Sequence, residues 1–539
     1  MRWSCDDGTG VGVVARYALP ALSGGLLALC FPPLHLVVLP FIALVPYGVW
    51  MARLPGDGRG PHTAVRGAGI LGAVYFGAIF HWIPVALYAA DRGGAAFFRA
   101  GAAYLVIVVG LGALVGLSGW LLHRIVHGLG APTWLALPVV WTSLEWVRAH
   151  LPDSLALPWL DLGTSLTAVP EFVGAAEIVG ARGITFWIVL VNGLVVTAWL
   201  RRSWSSAVAV VVTVATVGGW GFWRASALEL RPAARIAVVQ PDVARGSKVS
   251  ADATDGRDVA ADLPAVGEGP AGAYQIAPQS MDLVVLPELF LRSDPLAEGS
   301  AEAVAALESF AGAVGAPVLF GALGAGSHNS AFLLDGDGER AEEAGGGLGD
   351  FRYDKHRLVP LVERVPFVGG GGYDAGAGWP VARLAGVGVG VFICYESSYP
   401  EVARALRLAG ADILVNITND AWLGGAGPTR PTVALWQHPS HLVMRAIEGR
   451  VGIARSAATG ISMFVDPLGR IHEATEVGTR SVRVHELHAV VGPTTYHRFG
   501  DVVGRACAAL SLLVLLRLGF LRHGRGDPGA GARGIASQR

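Results

Sequence analysis

The sequence contains few charged residues for its length. Only 15% of its 539 residues are charged, against about 25% in an ordinary soluble domain, while 52% are hydrophobic. Of the 83 charged residues (41 basic and 42 acidic), 23 lie within residues 1–230 and 60 in the remainder. This distribution excludes one uniform water-soluble domain. It predicts a membrane part followed by a water-exposed part.

The sequence also lacks an excess of one charge and any cluster of cysteines. A net formal charge of −1 excludes a strongly basic nucleic-acid binder, so no nucleic-acid partner is expected. Cys5, Cys30, Cys394 and Cys507 lie too far apart for a disulfide framework or a zinc site of clustered cysteines. There is no phosphate-binding loop or haem motif. The sequence therefore predicts no cofactor and no metal.

Long uncharged stretches predict about eight membrane spans, since a helix needs about 20 apolar residues to cross a hydrocarbon core of roughly 30 Å. Residues 17–51 are long enough for two helices, and Phe31-Pro32-Pro33 marks a break because proline cannot continue the hydrogen-bond ladder. The other predicted spans are 67–90, 100–123, 125–144, 183–200, 203–223 and 502–521. In the last span, Arg505 and Arg517 would have to extend toward the two interfaces.

The placement of arginines predicts the orientation, because short cytoplasmic loops are enriched in them. With a cytoplasmic N-terminus, all the flanking arginines fall on the cytoplasmic side: Arg2, Arg16, Arg53, Arg59, Arg66, Arg124, Arg201, Arg202, Arg522, Arg525 and Arg533. The predicted domains are a seven-span bundle (1–230), an extracytoplasmic domain (231–495), a C-terminal span (496–523) and a disordered cytoplasmic tail (524–539). We therefore expect a multi-pass protein of the cytoplasmic membrane.

The polar half alternates strand-like and helical segments. Uniformly apolar strands, which need cover on both faces, are predicted at 235–240, 282–287, 317–323, 329–335, 387–393 and 412–417. Helices are predicted at 301–314 and 401–409, and loops at 242–273 and 335–350. This alternation predicts an α/β sandwich.

Three residues at or near the ends of these elements are candidates for catalysis. Glu288 follows the strand-like run LVVLP, and Cys394 ends VGVGVFIC. Lys355 is one of only two lysines, against 39 arginines, which suggests a need for a compact ammonium group. Taken singly, each has a structural interpretation: a solvated glutamate, an exposed lysine and an inert buried cysteine.

Together, the three residues form a chemical set. A cysteine attacks as the thiolate, so it needs a base or a positive neighbour at neutral pH. Glu288 could accept the thiol proton, and Lys355 could stabilise the oxyanion of a tetrahedral intermediate. No histidine is placed by the sequence for a papain-like pairing with Cys394.

The segments around these residues resemble the nitrilase superfamily of carbon-nitrogen hydrolases and acyltransferases. The motifs there are LPE, YDKHRLVPLVERVP and ICYESSYPE. The membrane half, with LCFPPLHLVVLPFIALVPY, WTSLEWVR, LPWLDLG and GARGITFWIVLVNGL, narrows the resemblance to the apolipoprotein N-acyltransferase family. NDAWLG, WQHPSHLVMRAIEGR, ARSAATGIS and TTYHRFGD continue it in the family's order. Leu361-Val362 departs from the phenylalanine and glycine usual in the family, and the 242–273 loop lacks the tryptophan usual after the first strand.

The resemblance implies an α-β-β-α sandwich in which Glu288 is the general base, Lys355 the oxyanion stabiliser and Cys394 the nucleophile. Glu363, Tyr395 and Glu396 match positions beside this triad. The implied reaction is acyl transfer in two steps. A phospholipid donates the chain to Cys394, and the diacylglyceryl-cysteine of an apolipoprotein accepts it on its α-amino group.

Two other functions are compatible with parts of the sequence. A membrane-tethered amidase could use the same triad, although it would not need a seven-span bundle. A transporter or scaffold would be expected to carry more ionisable groups inside its spans than Glu145 and His81, for which capping, interfacial or packing roles are expected. The sequence does not indicate the oligomeric state.

Overall fold

The computed structural model describes residues 10–90, 95–152, 155–243, 256–268, 274–279, 281–335, 351–364, 372–424 and 431–523. Most of the predicted 242–273 loop, residues 336–350 and the tail from 524 lie outside this part. Within the predicted 242–273 loop, Gly256–Asp262 is a short helix.

Helices form nearly all of the first part and alternate with strands in the second. The helices are α1 Gly10–Ala28, α2 Val45–Ala52, α3 Gly60–Ile79, α4 Ile83–Ala90, α5 Ala96–His123, α6 Thr133–Ala149, α7 Ala176–Arg201, α8 Trp204–Ala227, α9 Gly256–Asp262, α10 Ala301–Val314, α11 Pro400–Leu408, α12 Ala434–Gly449, α13 Thr495–Phe499 and α14 Val502–His523. The strands are β1 Arg231–Gln240, β2 Ala265–Val266, β3 Gln275–Ile276, β4 Leu283–Val285, β5 Val318–Gly324, β6 His328–Leu334, β7 Arg352–Asp354, β8 Val381–Leu384, β9 Val387–Ile393, β10 Ile413–Thr418, β11 Ile453–Ala457, β12 Met463–Val465, β13 Ile471–His472 and β14 Ser481–Ala489.

Four helical segments among the described residues are long and apolar enough to cross a membrane. They are Phe97–Gly128, Ala176–Arg201, Trp204–Ala227 and Val502–Gly519. Their outer faces carry exposed apolar side chains, such as Val106 on α5 and Leu513 on α14, which are 70% and 61% exposed. Contiguous apolar surface of this kind is typical of membrane contact.

The predicted hairpin over 17–51 differs from expectation in its second arm. After α1, the chain turns and forms a 3₁₀ turn at Leu39–Phe41 and then the eight-residue helix α2. Four prolines fall in this segment, Pro32, Pro33, Pro40 and Pro46. Each removes a backbone donor, so one long helix cannot form there.

Glu145, for which a capping, interfacial or packing role is expected, forms hydrogen bonds within the bundle. It is buried in α6 and accepts hydrogen bonds from Trp141 Nε1 (3.1 Å), Leu162 N (2.8 Å) and Thr185 Oγ1 (2.8 Å). These donors come from α6, a neighbouring turn and α7. The carboxylate therefore joins three segments of the bundle.

The second part is an α-β-β-α sandwich, which confirms the predicted fold class of this part. One six-stranded sheet has the order β14-β1-β4-β5-β6-β7, and the other has the order β13-β12-β11-β10-β9-β8. The sheets face each other, with α10 outside the first and α11 and α12 outside the second. Strand β9 and helix α10 have the predicted bounds.

Side-chain alternation explains why the strands are uniformly apolar. In the first sheet, Ile236 and Val238 belong to the core shared with the second sheet, while Ala237 and Val239 belong to the core under α10. Successive residues of a strand point to opposite faces, and both faces are covered here.

The two parts share one hydrophobic core and buried ion pairs. Arg450 Nε, at the end of α12, lies 2.5 Å from Glu177 Oε2 on α7. Helix α7 is kinked at Gly180, where φ is 69° and a Cβ would lie 2.4 Å from the Tyr496 ring. Glycine is needed there for both the backbone conformation and the close approach. The second part is thus fixed on the bundle.

Candidate active site

Cys394 lies where β9 ends and a 3₁₀ turn begins. Its φ is 56°, in the left-handed region that residues other than glycine rarely adopt, and its side chain is 1% exposed. Unfavourable backbone conformations of this kind are concentrated at functional sites. The sharp turn directs the chain away from the sheet immediately after Ile393.

Glu288 follows β4 and is buried. Its Oε1 accepts a hydrogen bond from Asn329 Nδ2 (2.7 Å), and its Oε2 accepts one from Asn419 N (2.6 Å). Strand β5 passes very close, because a Cβ on Gly321 would lie 2.6 Å from the Glu288 Cα. The missing side chain of Gly321 therefore allows the neighbouring strand to support the glutamate.

Lys355 follows β7, and its ammonium lies between two carboxylates. Nζ is 3.1 Å from Glu288 Oε1 and 2.8 Å from Glu363 Oε1, and all three side chains are fully buried. The other oxygen of Glu363 accepts a hydrogen bond from Val359 N (2.8 Å). Two buried anions therefore share one buried cation, which fixes the position of the lysine.

The sheet register places Cys394 beside this ion cluster. Ile417 in β10 pairs with Ile393 in β9, so Asn419 and Cys394 follow neighbouring parallel strands at the same edge. Glu288 Oε2 is bonded to the backbone of Asn419. Glu288 and Lys355 therefore form one ion cluster, and Cys394 ends the strand next to the one that leads to the Asn419 partner of Glu288, as expected for strand ends.

Glu396 links the backbone on either side of the site. Its carboxylate accepts hydrogen bonds from Ile393 N (2.7 Å), His356 N (2.7 Å) and the Tyr353 hydroxyl (2.9 Å). Burial raises the pKa of Glu396 to about 7, although the backbone donors favour its charged form. The ring of Tyr395 stacks against Trp159 from the membrane half, with centroids 6.1 Å apart.

The sequence places no histidine obviously for a papain-like pairing with Cys394, but the structure brings His438 near it. The Cys394 Sγ, a ring nitrogen of His438 and a carboxylate oxygen of Asp420 lie within 4.8 Å of one another. His438 Nδ1 is 2.9 Å from Asp420 Oδ1, and Arg455 Nη2 is 2.6 Å from Asp420 Oδ2. The histidine comes from within α12, and only tertiary packing brings it to the cysteine.

These three donors are of the types that hold zinc, but their surroundings do not favour a cation. Arg455 Nη2 also lies 3.2 Å from His438 Nδ1, so a guanidinium charge occupies the space beside the donors. Burial raises the pKa of Asp420, but the Arg455 charge and the hydrogen bonds with His438 and Thr418 outweigh it and hold the pKa well below its usual range. Asp420 is therefore the anionic partner of the two basic groups.

Cys394 lines a cavity between the two parts of the protein. The wall is almost entirely apolar. From the membrane half it includes Phe80, Trp82, Ile83, Leu87, Ile107, Leu157 and Trp159, and from the catalytic half Val359, Pro360, Leu361, Val362, Tyr395, Trp422, Leu423 and His438. Leu361 and Val362, where the sequence departs from the family pattern, are thus part of the wall. An apolar wall of this kind suits an apolar ligand, such as a lipid chain.

Sequence reasoning did not identify Asn329, Asp420, His438 or Arg455 as site residues. Asp420 follows the apolar strand β10, so the strand-end rule that indicated Cys394 could also have indicated it. Asn329 and Arg455 lie within strands, where side-chain direction decides their contacts. No local pattern indicates Asn329, whereas Arg455 lies in the motif ARSAATGIS that carries part of the family resemblance.

Comparison with known proteins gives two family matches. Residues 23–194 match the family described as apolipoprotein N-acyltransferase N-terminal domain, and residues 235–496 match carbon-nitrogen hydrolase. The apolipoprotein N-acyltransferase of Geobacter metallireducens is 28% identical over 94% of this chain and 95% of its own length. The apolipoprotein N-acyltransferase of Bradyrhizobium diazoefficiens is 28% identical over 93% of this chain and 95% of its own length. Among solved structures, the match with an amidase from Nesterenkonia sp. spans 51% of this chain and 95% of the amidase chain. The two are 21% identical, with a TM-score of 0.33.

Proposed function

The chain belongs to the apolipoprotein N-acyltransferase family, and from this we propose that it acylates apolipoproteins through a thioester on Cys394. The acyl donor is a membrane phospholipid. The acceptor is the α-amino group of the diacylglyceryl-cysteine that begins a processed apolipoprotein.

The apolar cavity is the observation that carries this proposal. A small polar amide would find almost no polar partner along this apolar wall, whereas a fatty acyl chain matches it while its carbonyl reaches Cys394. Membrane-half residues such as Ile107 and catalytic-half residues such as Leu361 form the same wall. A lipid donor can therefore reach the cysteine without leaving the protein-membrane boundary.

In the first step, Glu288 accepts the proton of the Cys394 thiol, and the sulfur attacks the ester carbonyl of the phospholipid. The Lys355 ammonium stabilises the negative charge that develops on the carbonyl oxygen. The C–O bond then breaks, and the proton on Glu288 passes to the leaving alkoxide of the lysophospholipid. Cys394 is left as a thioester, and Glu288 is again a carboxylate.

In the second step, the acceptor amine attacks the thioester carbon. A C–N bond forms, the C–S bond breaks, and a proton from the amine returns to the sulfur. Both substrates are anchored in lipid, so the bundle reduces their search to the membrane surface and raises their effective concentration.

A product assay distinguishes this function from that of an amidase. The purified protein is incubated with phospholipid and a diacylglyceryl-cysteine peptide, and separately with small primary amides. We expect an N-acylated peptide together with lysophospholipid, and no ammonia from the amides. Ammonia release without peptide acylation would favour the amidase.

Narrowing the cavity should change the preference for acyl chains. The Ile107→Trp variant is expected to form acyl-enzyme at least about tenfold more slowly with phospholipids carrying chains of about 16 carbons, because packing differences in a pocket are worth roughly 1–3 kcal/mol. Donors with chains of about eight carbons should be much less affected. The Val106→Trp variant is the matched control, because Val106 is exposed on α5 and does not line the cavity. Equal slowing with both chain lengths would contradict the assignment.

We further propose eight membrane crossings, with the catalytic half outside the cytoplasm and both termini inside. Contacts between the ends of neighbouring helices support this topology. Trp50 Nε1 donates to Arg16 O (2.9 Å), and His127 Nε2 lies 3.0 Å from Met51 O. The basic segments around Arg16, Arg53 and Arg124 therefore gather at one end of the bundle, as expected for a cytoplasmic face.

Reporter fusions test this topology. Alkaline phosphatase, which needs the oxidising space outside the cytoplasm for its disulfides, should be active when fused after Ala489 and inactive when fused after Arg539. The opposite pattern, or activity at both positions, would overturn the orientation.

A further inference from the structure

A second pocket lies where helices α11, α12 and α13 meet. Its lining includes three arginines, a glutamate and a histidine, which are Arg404, Arg407, Arg445, Glu448 and His497. This arginine pocket shares no residue with the apolar cavity at Cys394. The acyl transfer proposed above uses none of its side chains.

The arginine pocket has more positive than negative charge. Glu448, the acid in its lining, lies 2.7 Å from Arg445 Nε, so these two charges offset each other. In the part of the chain that the structure describes, Arg404 and Arg407 form no ion pair, and Asp412 acts on Arg407 only through space. Two guanidinium charges therefore remain for a ligand.

Backbone contacts hold these two guanidinium groups in place. Arg404 Nε donates to His497 O (2.8 Å) and its Nη2 donates to Arg498 O (2.9 Å), which joins α11 to α13. Arg407 Nη1 donates to Ala411 O. Arg407 Nε is buried and has no hydrogen-bond partner among the described residues. One positioned donor of the pocket is thus left for a ligand.

His497 supplies two more unpaired polar atoms. It is 8% exposed, and both ring nitrogens are buried without a hydrogen-bond partner within the described ranges. Burial, followed by the charges of Arg407, Arg404 and Arg498, lowers the pKa of His497 to about 4. The ring is therefore neutral at neutral pH and carries one N–H. Buried polar groups are normally paired, so unpaired ones in a pocket point to a ligand.

These donors and charges suit an oxyanion. Arginine binds phosphate through charge-assisted hydrogen bonds, and a histidine N–H can add another. The void has a volume of about 10 Å³, enough for a single oxygen-sized atom. One phosphate oxygen can therefore enter it while the rest of the phosphate group stays at the mouth.

The position of the pocket favours a lipid phosphate over a free one. Helix α13 ends at Phe499, and the segment Val502–Gly519 that follows is long and apolar enough to cross a membrane. Phe499 and Leu408, the last residues of α13 and α11, are 63% and 56% exposed. Basic side chains beside exposed apolar ones are typical of the membrane interface, where lipid head groups lie.

From these observations we propose that the arginine pocket binds the phosphate of an anionic membrane phospholipid, whose chains lie along the exposed face of α14. Arg407 Nε and the ring N–H of His497 donate to the phosphate, and Arg404 adds positive charge. This excess charge favours lipids with a net negative head group, because it repels the cationic group of a zwitterionic one. The site goes beyond acyl transfer, since the bound lipid fixes α11 and α13 at the membrane surface.

Lipid binding is measured on the full-length protein in a neutral detergent, by native mass spectrometry and thermal melting. The probe is a diether phosphatidylglycerol, whose alkyl chains cannot be transferred to Cys394. Diether phosphatidylcholine and inorganic phosphate are tested in parallel. We expect phosphatidylglycerol to remain bound and to raise the melting temperature of wild type, because a ligand that binds the folded state stabilises it. The other two compounds should raise it much less.

Two variants remove the groups that face the ligand. R407Q removes the guanidinium, and H497F keeps a ring of similar size without its nitrogens. Each should weaken phosphatidylglycerol binding by about tenfold or more, because a hydrogen bond to a charged group is lost. Without lipid, H497F should melt at or above the wild-type temperature, because it removes buried polar atoms that have no partner in the described chain. This measurement separates loss of the lipid from loss of folding.

R505Q is the matched control, because Arg505 is an exposed arginine at the start of α14 that does not line the pocket. Its affinity for phosphatidylglycerol should stay within about twofold of wild type, since exposed charges contribute little. Equal binding by wild type, R407Q and H497F would overturn the inference. A loss in R505Q as large as that in R407Q would also overturn it, because the attraction would then be unspecific. An equally large effect of inorganic phosphate would overturn the lipid assignment.

The lipid site and the acyl transfer can fail separately. R407Q and H497F should form acyl-enzyme within about threefold of the wild-type rate, because their pocket shares no residue with the apolar cavity. Absence of acyl-enzyme in wild type would contradict the proposed function. Normal acylation with no difference in lipid binding among the variants would contradict only the lipid site.

Discussion

Replacement of Cys394 by alanine is expected to abolish N-acylation, lowering the rate by a factor on the order of 10⁴ or more, as for other enzymes that lose their nucleophile. The sulfur is the only atom at this position able to carry the acyl chain. The cavity of the variant can still position the substrates, but it cannot form the covalent acyl intermediate. The measurement is the rate of N-acyl peptide formation from phospholipid and a diacylglyceryl-cysteine peptide.

Cys507→Ala provides the matched control for this variant. Cys507 is also a buried free cysteine, but it lies in α14 and does not line the cavity. It should retain nearly wild-type activity. Activity of a few per cent or more in the Cys394→Ala protein would mean that another group forms the intermediate.

Replacement of Lys355 by arginine is expected to lower acyl-enzyme formation by about 10²–10³-fold, although the positive charge is kept. Loss of one donor to the oxyanion usually lowers the rate by about this factor. Nζ is held at 3.1 Å and 2.8 Å from two carboxylates in a fully buried site, where the larger planar guanidinium cannot adopt the same geometry. The rate of appearance of the acyl adduct measures the effect.

A methionine variant extends the same argument to stability. Lys355→Met leaves the carboxylates of Glu288 and Glu363 buried without this cation, and removal of one partner from a buried ion pair costs about 3–5 kcal/mol. Its melting temperature should therefore fall more than that of Lys355→Arg. Lys248→Arg, at the other lysine of the chain, is the control for the arginine variant. Normal turnover by Lys355→Arg would show that Lys355 does not stabilise the oxyanion.

Much of the catalytic half could be predicted because its local and tertiary preferences agree. Strand β9 and helix α10 have the predicted bounds because a covered sheet needs uniformly apolar strands and the helix ends at Gly315, where φ is 68°. Glu288, Lys355 and Cys394 were predicted together from their positions at or near strand ends, supported by the family resemblance.

Other features depended on contacts that the sequence does not display. The segment between α1 and α2 is uncharged, which predicts a helix, but its prolines prevent a continuous one. His438 lies in the interior of α12, 44 positions after Cys394, and no spacing rule relates the two. Only the packing of α12 on the second sheet brings this histidine to Asp420 and the cysteine.

The most direct test of the acyl-transfer account is to locate the acyl group on the protein. Wild-type protein is mixed with phospholipid without acceptor, digested, and its peptides are analysed by mass spectrometry before and after hydroxylamine treatment. We predict a hydroxylamine-sensitive fatty acyl adduct on the peptide that contains Cys394, which disappears when the acceptor peptide is added. An unmodified Cys394 peptide in protein that is turning over, or an adduct confined to another residue, would contradict the account.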